Sequence, residues 1–308
     1  MRALVVTNMY PSPRRPALGR FVADQVAALR RSGEAEIEVF AFDPGGYGAY
    51  ARAARDLRER YRRERFDIVH AHYGLTVWPA LAVRARGRLV TLHGTDLAHP
   101  RARPVALAAL PFTDLVGVVS ESLAGAVPRW THRGRVAVLP CGVDLERFHR
   151  IDRVQARRAL GLSEEGPFLL FPADPARPEK RHDRAVAVAG DVPLLTLGDV
   201  DPAQMPLWVN AANAVLVPSE REGFGLAVLE ALACDVPVLA TPVGIAPRAL
   251  AGVAGTVCAP YEISVWRAAL APHLAAADPR VEGRARAAEY ASDRMAERVL
   301  EAWRGLLA

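Results

Sequence analysis

Short apolar runs alternate with longer amphipathic segments along almost the whole chain. In the first half, the apolar runs predict buried strands at 4–7, 37–42, 68–71, 88–92, 115–119 and 136–139. Helices are predicted at 20–31 and 49–65; in the first, Phe21, Val22, Val26 and Leu29 lie on one face. This order is typical of a parallel sheet that is covered by helices on both faces.

The same alternation restarts after a turn-rich stretch at 140–144. A helix is predicted at 153–160, strands at 168–171, 194–197, 214–218, 236–240 and 255–258, and closing helices at 264–277 and 293–307. We therefore predict two doubly wound domains, 1–145 and 146–292, and leave open whether the C-terminal helix, about 293–308, packs back on the first. Ligands of such sheets bind at the carboxyl ends of the strands, so we expect a site in a cleft between the domains.

The composition is that of an ordinary globular protein, with 308 residues, 51% of them hydrophobic and 24% charged. Cys141, Cys234 and Cys258 are far apart and lack disulfide or metal-ligand spacing, so we expect buried thiols in a cytoplasmic setting. No apolar run approaches the roughly 18 residues of a membrane span, and none resembles a signal peptide. Any membrane contact is therefore expected to be peripheral.

Positive charge is concentrated in the first half of the chain. Of the net charge of +5, residues 1–145 contribute +8 and residues 146–308 contribute −3, and Lys180 is the one lysine among the 39 basic residues. The imbalance suggests an acidic partner for the first half, either nucleic acid, an anionic membrane or a phosphorylated small molecule. The alternative is an uneven, solvated surface.

The densest arginine cluster lies on and after the predicted helix at 49–65. Its members are Arg52, Arg55, Arg58, Arg60, Arg62, Arg63 and Arg65. Three i,i+4 pairs, Arg55–Glu59, Asp56–Arg60 and Glu59–Arg63, favour a solvated helix by roughly 0.2–0.5 kcal/mol each. The alternative is adsorption to anionic lipid, at about 1 kcal/mol per basic residue. No nucleic-acid partner is expected, because the chain contains no recognised nucleic-acid-binding module.

Two loops of the second half carry candidate chemistry. After the strand that ends at Pro218, residues 219–225 hold two glycines around Phe224 and lead into a helix; glycines admit a ligand to the backbone, and helix N-terminal amides attract anions. Glu222 and Glu230 are suited to accept hydrogen bonds from vicinal hydroxyls. The segment 173–182 is basic and follows the first strand of its domain, where a phosphate site is expected. The alternative for the two glutamates is a favourable interaction with the helix dipole and a surface position. The alternative for 173–182 is a solvated turn with exposed charges.

These segments together resemble the retaining glycosyltransferases of family four, which have the GT-B fold: α/β, with two Rossmann-like, doubly wound domains that face a central cleft. The matching pieces are 5–11, 67–72, 92–96, 119–121, the hinge 140–144, and the E-x7-E motif as Glu222 and Glu230, with its continuation at 231–244. The resemblance implies that Glu230 binds the ribose of a nucleotide-sugar and that Glu222 faces the transferred sugar. It also implies that the amides of Phe224, Gly225 and Leu226 approach the sugar and the diphosphate.

The resemblance further assigns Lys180 to the leaving diphosphate, where Arg and Lys stabilise negative charge without a metal. The family has Gly-Arg where this chain has Asp174-Pro175, so either Arg177 or Arg181 is the candidate replacement. In the first domain it places His93 at the sugar, whereas a core histidine is the alternative.

Two further first-domain residues keep two interpretations each. Asp96 either meets acceptor hydroxyls or caps the next turn. Gly19 either touches the diphosphate or acceptor or is only a turn glycine. His70 and His72 share a strand face but have no third ligand at suitable spacing, so no metal site is expected.

The resemblance therefore implies a cytoplasmic, metal-independent, retaining glycosyltransferase that needs no cofactor. It would move a sugar from a UDP- or GDP-sugar to a lipid-linked sugar, a polysaccharide precursor or a small molecule, with the arginine helix at 52–65 as a candidate contact with the inner membrane face. Between 190 and 213 the chain has one strand and one short helix where relatives have a further strand–helix unit, which leaves the base undecided. The alternatives are an inactive sugar-nucleotide-binding protein, a sugar-nucleotide epimerase and, last, a nucleic-acid-binding protein.

Overall fold

A computed structural model describes residues 1–132, 135–198 and 200–308. The strands are β1 (Arg2–Thr7), β2 (Glu36–Ala41), β3 (Arg65–His72), β4 (Arg84–Leu92), β5 (Leu115–Val118), β6 (Val136–Val138), β7 (Leu169–Phe171), β8 (Leu194–Thr196), β9 (Ala214–Val217), β10 (Val238–Ala240) and β11 (Val257–Cys258). The helices are α1 (Arg20–Arg31), α2 (Tyr47–Tyr61), α3 (Val77–Ala80), α4 (Thr95–Ala98), α5 (Ala102–Ala109), α6 (Glu121–Ala126), α7 (Arg153–Ala159), α8 (His182–Ala189), α9 (Met205–Ala211), α10 (Leu226–Ala233), α11 (Ala246–Ala249), α12 (Ile263–Ala275), α13 (Arg284–Ala288) and α14 (Ser292–Leu307). Short 3-10 helices lie at Gly74–Thr76, Leu110–Phe112, Arg129–Thr131 and Pro178–Lys180.

The chain divides into two compact units, residues 1–142 with 292–308, and residues 143–291. The division falls at 142/143 and 291/292, where the sequence pattern suggested 145/146 and 292/293. Helix α14 belongs to the first unit, where Val299 and Trp303 are completely buried in its core.

The first unit is built on a parallel sheet with strand order β2-β1-β3-β4-β5-β6. Strand β1, between β2 and β3, is buried on both faces: Leu4 and Val6 belong to one apolar cluster, Ala3 and Val5 to the other. A strand that is buried on both sides has a continuous apolar sequence, and residues 3–6 of β1 are all apolar. The sheet therefore holds the ends of β3 and β4 rigidly side by side.

The second unit contains a parallel sheet with strand order β11-β10-β9-β7-β8. Leu169, Phe171, Leu216 and Trp266 are among the residues of its core. Because β7 and β9 are neighbours and run parallel, the loops that follow them open at the same edge of the sheet. This topology brings residues 172–181 close to residues 218–225.

The arginine-rich helix ends earlier than the predicted residue 65. Helix α2 stops at Tyr61, which packs edge-on against Phe66, and Arg65 already pairs with Arg84 in the sheet. Strand β3 thus begins at Arg65, which the sequence pattern assigned to the end of the helix. All seven arginines are exposed, and in the described residues none of the three predicted i,i+4 ion pairs forms; Arg55 contacts Asp56 instead, at 3.6 Å.

Candidate functional site

In the second unit, the loops after β7 and β9 are joined by a half-buried ion pair. Nζ of Lys180 donates to both carboxylate oxygens of Glu222, at 2.7 and 2.6 Å, and the side chains are 15% and 9% exposed. The hydroxyl of Ser219 donates to the same carboxylate at 2.7 Å. Lys180 and Ser219 thus make three hydrogen bonds that fix the orientation of Glu222, and an ammonium group lies beside its carboxylate.

The backbone that carries Lys180 is held against the Glu222 loop. The N–H of Glu220 donates to the carbonyl of Glu179 at 2.9 Å, which ties the two loops together. Lys180 ends a 3-10 turn, and Arg181 then adopts a left-handed conformation, with φ of 56°. Its guanidinium pairs with Glu220 and Asp183. A non-glycine residue in this region is strained, and such strain is often found at functional sites.

Neither candidate replacement for the missing arginine contacts Glu222 in the part of the chain that is described. The guanidinium of Arg177 pairs with Glu179 at 2.6 Å and its side chain is 53% exposed. Arg181 is held by Glu220 and Asp183. Both cations stand in the loop that carries Lys180, and the choice between them stays open.

The loop between Glu222 and α10 presents backbone donors. Among the described residues, the N–H groups of Phe224, Gly225 and Leu226 make no hydrogen bond, and Gly225 adopts a positive φ of 90°. The carbonyl of Phe224 is held from the other side by the N–H of Ile245, at 2.7 Å. Successive unpaired N–H groups at a helix start form a binding place for an anion. Glu230 lies half-buried in the second turn of α10.

Gly244 makes the close approach behind this loop possible. A Cβ atom at Gly244 would lie 2.3 Å from the carbonyl oxygen of Phe224 and 2.9 Å from Cβ of Glu222, and its φ is +59°. A side chain at this position would therefore push the loop away. The predicted residues Glu222, Phe224, Gly225, Leu226 and Lys180 lie together, and Gly244 and Ser219 are supporting residues that sequence reasoning missed.

In the first unit, His93 follows β4 and forms part of a row of imidazoles. Its Nε2 lies 3.0 Å from Nδ1 of His72, and the two rings are stacked. Phe21 also packs against the His93 ring, with ring centroids 4.8 Å apart. His70 stacks in turn on His72, with centroids 4.3 Å apart. Burial lowers the pKa of His70 and of His93 to about 3, so both rings are neutral at pH 7.

The structure favours the capping interpretation of Asp96, whose carboxylate holds the backbone of the turn after β4. Its carboxylate accepts the backbone N–H groups of Gly94 at 2.9 Å, His93 at 3.2 Å and Gly74 at 3.2 Å, and the residue is completely buried. Burial raises the pKa of Asp96 against the lowering effect of these donors. Direct contact with an acceptor is not supported, because no part of Asp96 is exposed.

Gly19 is required by its backbone. It has a φ of +64°, and a Cβ atom there would lie 2.1 Å from the carbonyl oxygen of Met9. It lies directly before α1, two residues from Phe21, and belongs to the same unit as His93. The turn-glycine interpretation accounts for this geometry; a ligand contact stays a prediction.

Within residues 1–132, 135–198 and 200–308, no three side chains of the usual ligand types gather as a metal centre would require. No helix there combines the length and the apolar character needed to cross a bilayer.

A basic groove lies beside α2 in the first unit. It has a volume of about 930 Å³ and is lined by Arg55, Arg58, Arg62 and Arg84 among others.

Two family models match the chain, one in each half. The family model described as Glycosyltransferase Family 4 matches residues 5–147, and the one described as Glycosyl transferases group 1 matches residues 193–294. The D-inositol 3-phosphate glycosyltransferase of Actinosynnema mirum is 30% identical over 75% of this chain and 70% of its own length. That of Frankia alni is 31% identical over 63% and 62%. The chain thus spans about two thirds of the length of these relatives.

Solved structures share the fold. Sucrose-phosphate synthase from Thermosynechococcus elongatus superposes with a TM-score of 0.76 at 18% identity, covering 99% of each chain. The Anabaena protein HepE, in complex with UDP and glucose, gives 0.70 at 18% identity, covering 98% of this chain and 99% of its own.

Proposed function

The chain belongs to glycosyltransferase family 4, and we propose that it moves a sugar from a nucleotide-sugar to an acceptor hydroxyl, with retention of configuration and without a metal ion. The predicted GT-B fold is confirmed by the superpositions. HepE was solved with UDP and glucose, which supports UDP-sugars as the first donors to test. The relatives' name makes D-inositol 3-phosphate the first acceptor to test.

One observation carries the proposal: a carboxylate, an ammonium group and unpaired backbone donors share one edge of the second sheet. The N–H groups of Phe224, Gly225 and Leu226 suit a diphosphate, and Glu222 suits sugar hydroxyls. Glu230, in the second turn of α10, is the proposed ribose contact. We place the donor at this edge of the second unit.

The proposed chemistry develops negative charge on the leaving diphosphate. Lys180 stabilises that charge, and preorganised donors of this kind commonly contribute about 3–4 kcal/mol to transition-state stabilisation. A diphosphate oxygen takes the proton of the attacking hydroxyl as the new bond forms on the face that the diphosphate leaves. Donor binding then requires Lys180 to exchange part of its contact with Glu222 for the phosphate. Either Arg177 or Arg181 supplies the second positive charge beside the diphosphate.

The first unit presents the acceptor in this proposal, with His93 at the transferred sugar. A peripheral membrane contact is proposed for the same unit, on the surface around α2. Arg52, Arg55 and Arg58 are exposed there, and the aromatic side chains of Tyr47 and Trp78, which line a groove beside α2, are 63% and 38% exposed. Basic and aromatic residues together are the composition of a membrane-surface contact.

Nucleotide release from a panel of UDP- and GDP-sugars tests the proposal, with and without D-inositol 3-phosphate. We expect release of one nucleoside diphosphate, unchanged by EDTA, and an α-linked product from an α-linked donor. Glu222→Gln and Lys180→Met are expected to lose at least about a hundredfold in kcat, as for removal of a transition-state donor. Arg158→Met, in an exposed ion pair with Glu164, is the matched control and keeps full activity. An inverted product or dependence on a divalent cation would overturn the mechanism.

A sugar-nucleotide-binding protein without turnover is the second candidate. The observation that favours it is the Asp174-Pro175 pair: Oδ1 of Asp174 accepts the N–H of Ala176 at 2.8 Å and forms a turn where the family has Gly-Arg. In that case, a UDP-sugar raises the melting temperature and Glu222→Gln abolishes the shift, while no donor releases its nucleotide with any acceptor.

A further inference from the structure

Two histidines of the buried row have ring nitrogens whose protons can be assigned by counting partners. Nδ1 of His72 faces Nε2 of His93 at 3.0 Å, so one of these nitrogens carries a hydrogen and the other accepts it. The second ring nitrogen of His72, Nε2, is buried and has no partner within the described residues. Both rings are neutral, because burial lowers the pKa of each. Each ring therefore holds a single hydrogen.

Only two arrangements satisfy these conditions. If His93 donates from Nε2, the one hydrogen of His72 must sit on its buried Nε2, where it has no acceptor. If His72 donates from Nδ1, its buried Nε2 is a bare acceptor. Buried N–H groups without a partner are rarer than unsatisfied acceptors, so the second arrangement is favoured. The single hydrogen of His93 then sits on Nδ1.

The rarity of unpaired buried N–H groups also assigns the tautomer of His70, the next ring in the row. Nε2 of His70 lies 2.7 Å from the hydroxyl of Thr91, whereas its Nδ1 is buried without a partner. The hydrogen of His70 therefore sits on Nε2 and is donated to Thr91. His70 and Thr91 fix the ring on which His72 stacks, so each imidazole in the row has one assigned tautomer.

We propose that His72 is a positioning residue: it donates Nδ1–H to Nε2 of His93 and so holds His93 in the tautomer whose hydrogen is on Nδ1. That nitrogen of His93 makes no hydrogen bond in the described part of the chain and is not among the fully buried unpaired atoms. His93 thus presents a hydrogen-bond donor, and not a base, to whatever binds at the end of β4. The identity of that ligand as a sugar rests on the proposed function; the tautomer does not.

Nitrogen-15 NMR of histidine-labelled protein, full chain and without ligand, tests the tautomer directly. Two-bond proton–nitrogen correlations distinguish Nδ1–H from Nε2–H rings, and single substitutions assign the signals among the 8 histidines. We expect Nδ1–H for His93 and for His72, and Nε2–H for His70, at pH 7.5. A His93 ring protonated on Nε2 overturns the inference.

Two variants of His72 separate positioning from packing. His72→Asn keeps an N–H donor on the atom bonded to Cγ, at the place of Nδ1, whereas His72→Phe keeps a ring and removes the donor. We expect the Nδ1–H tautomer of His93 to persist in His72→Asn and to be lost or mixed in His72→Phe. Where transfer is measured, kcat/KM falls about tenfold in His72→Phe, the loss of one hydrogen bond to ligand, and is largely retained in His72→Asn.

The outcomes distinguish this inference from the proposed function. If the two variants lower the melting temperature alike and neither changes the His93 tautomer, His72 is only a packing residue and the inference is wrong. If the tautomers are as expected but no donor is turned over, the positioning role stands and the proposed function fails. If transfer proceeds equally in both variants, the inference fails while the function stands.

Discussion

Nζ of Lys180 lies 2.6 and 2.7 Å from the two carboxylate oxygens of Glu222, although the residues are 42 positions apart. With 15% and 9% exposure, neither side chain is freely hydrated. A charge in such surroundings is destabilising when its partner is removed, since it keeps its desolvation penalty and loses its compensation. The pair therefore contributes both to the fold of the second unit and to the proposed donor site.

Removal of either partner is expected to destabilise the second unit. Lys180→Met leaves Glu222 with Ser219 as its remaining side-chain donor, and we expect a loss of about 2 kcal/mol in the free energy of unfolding, as for a hydrogen bond to a charged group. The double variant Lys180→Met/Glu222→Gln should lose less than the sum of the two single losses. Urea unfolding of the four proteins in a double-mutant cycle measures the coupling.

The exposed pair Arg158–Glu164 is the control for this cycle. Its atoms are 2.9 Å apart, but the side chains are 67% and 48% exposed. Its coupling should stay below about 1 kcal/mol, because water screens it. Equal coupling in the two cycles would show that burial of Lys180 and Glu222 has no energetic consequence.

Substitution of Gly244 by alanine is expected to remove nucleotide-sugar binding. Alanine at a positive φ costs about 1–2 kcal/mol anywhere. At Gly244 the new Cβ atom must also displace the carbonyl of Phe224, which lies 2.3 Å away, and with it the loop of unpaired N–H groups. Thermal shift with a UDP-sugar and nucleotide release measure the effect.

Gly252→Ala is the matched control, since Gly252 has a φ of +75° and nothing lies within 4 Å of its added Cβ. We expect Gly252→Ala to lower the melting temperature and to keep donor binding. If the two alanine variants bind donor equally well, the close approach at Gly244 is irrelevant to the site.

Helix and strand bounds could be predicted where apolar pattern and local chemistry agree. Helix α1 begins and ends at the predicted Arg20 and Arg31, because a turn glycine precedes one clear apolar face. Helix α2 was predicted to run to residue 65 and ends at Tyr61. Exposed arginines are compatible with helix, turn and strand edge alike, so they do not mark a boundary.

The site could be predicted as a set of residues but not as a set of contacts. The resemblance assigns Lys180 and Glu222 to one domain, yet their pairing depends on β7 lying beside β9, and periodicity does not determine strand order. The contact of His72 with His93 likewise depends on β3 lying beside β4. Asp96 had two interpretations, and only the path of the backbone near Gly74 distinguishes them.

The row of neutral histidines predicts acid sensitivity of the first unit. The pKa of His70 is about 3 when folded and near 6.5 when unfolded. Between these values the unfolded chain binds a proton that the folded chain does not, so stability falls as the pH drops below 6.5. The slope is about 1.4 kcal/mol per pH unit for each such group, and stability is unaffected above pH 6.5. Urea unfolding at pH 5 and pH 7.5 measures it.

His70→Gln isolates the contribution of one ring. We expect the stability difference between pH 7.5 and pH 5 to shrink by about 2 kcal/mol in this variant, because glutamine does not titrate. Asp96, whose raised pKa acts with the opposite sign, is common to both proteins and cancels in the comparison. An unchanged difference in His70→Gln would mean that His70 titrates as freely in the folded protein as in the unfolded chain.

The surface around α2 is expected to bind anionic vesicles through its arginines. Each basic residue near such a surface contributes about 1 kcal/mol, so replacing Arg52, Arg55 and Arg58 by serine together should weaken binding by about a hundredfold. Sedimentation with phosphatidylserine vesicles at low and at physiological salt measures it, and the triple variant should also lose most of the salt dependence. The control replaces Arg101, Arg103 and Arg129, which are also exposed and lie in the same unit. If both triple variants lose affinity alike, net charge and not the α2 surface drives binding; if neutral vesicles bind as well, the arginines are not the contact.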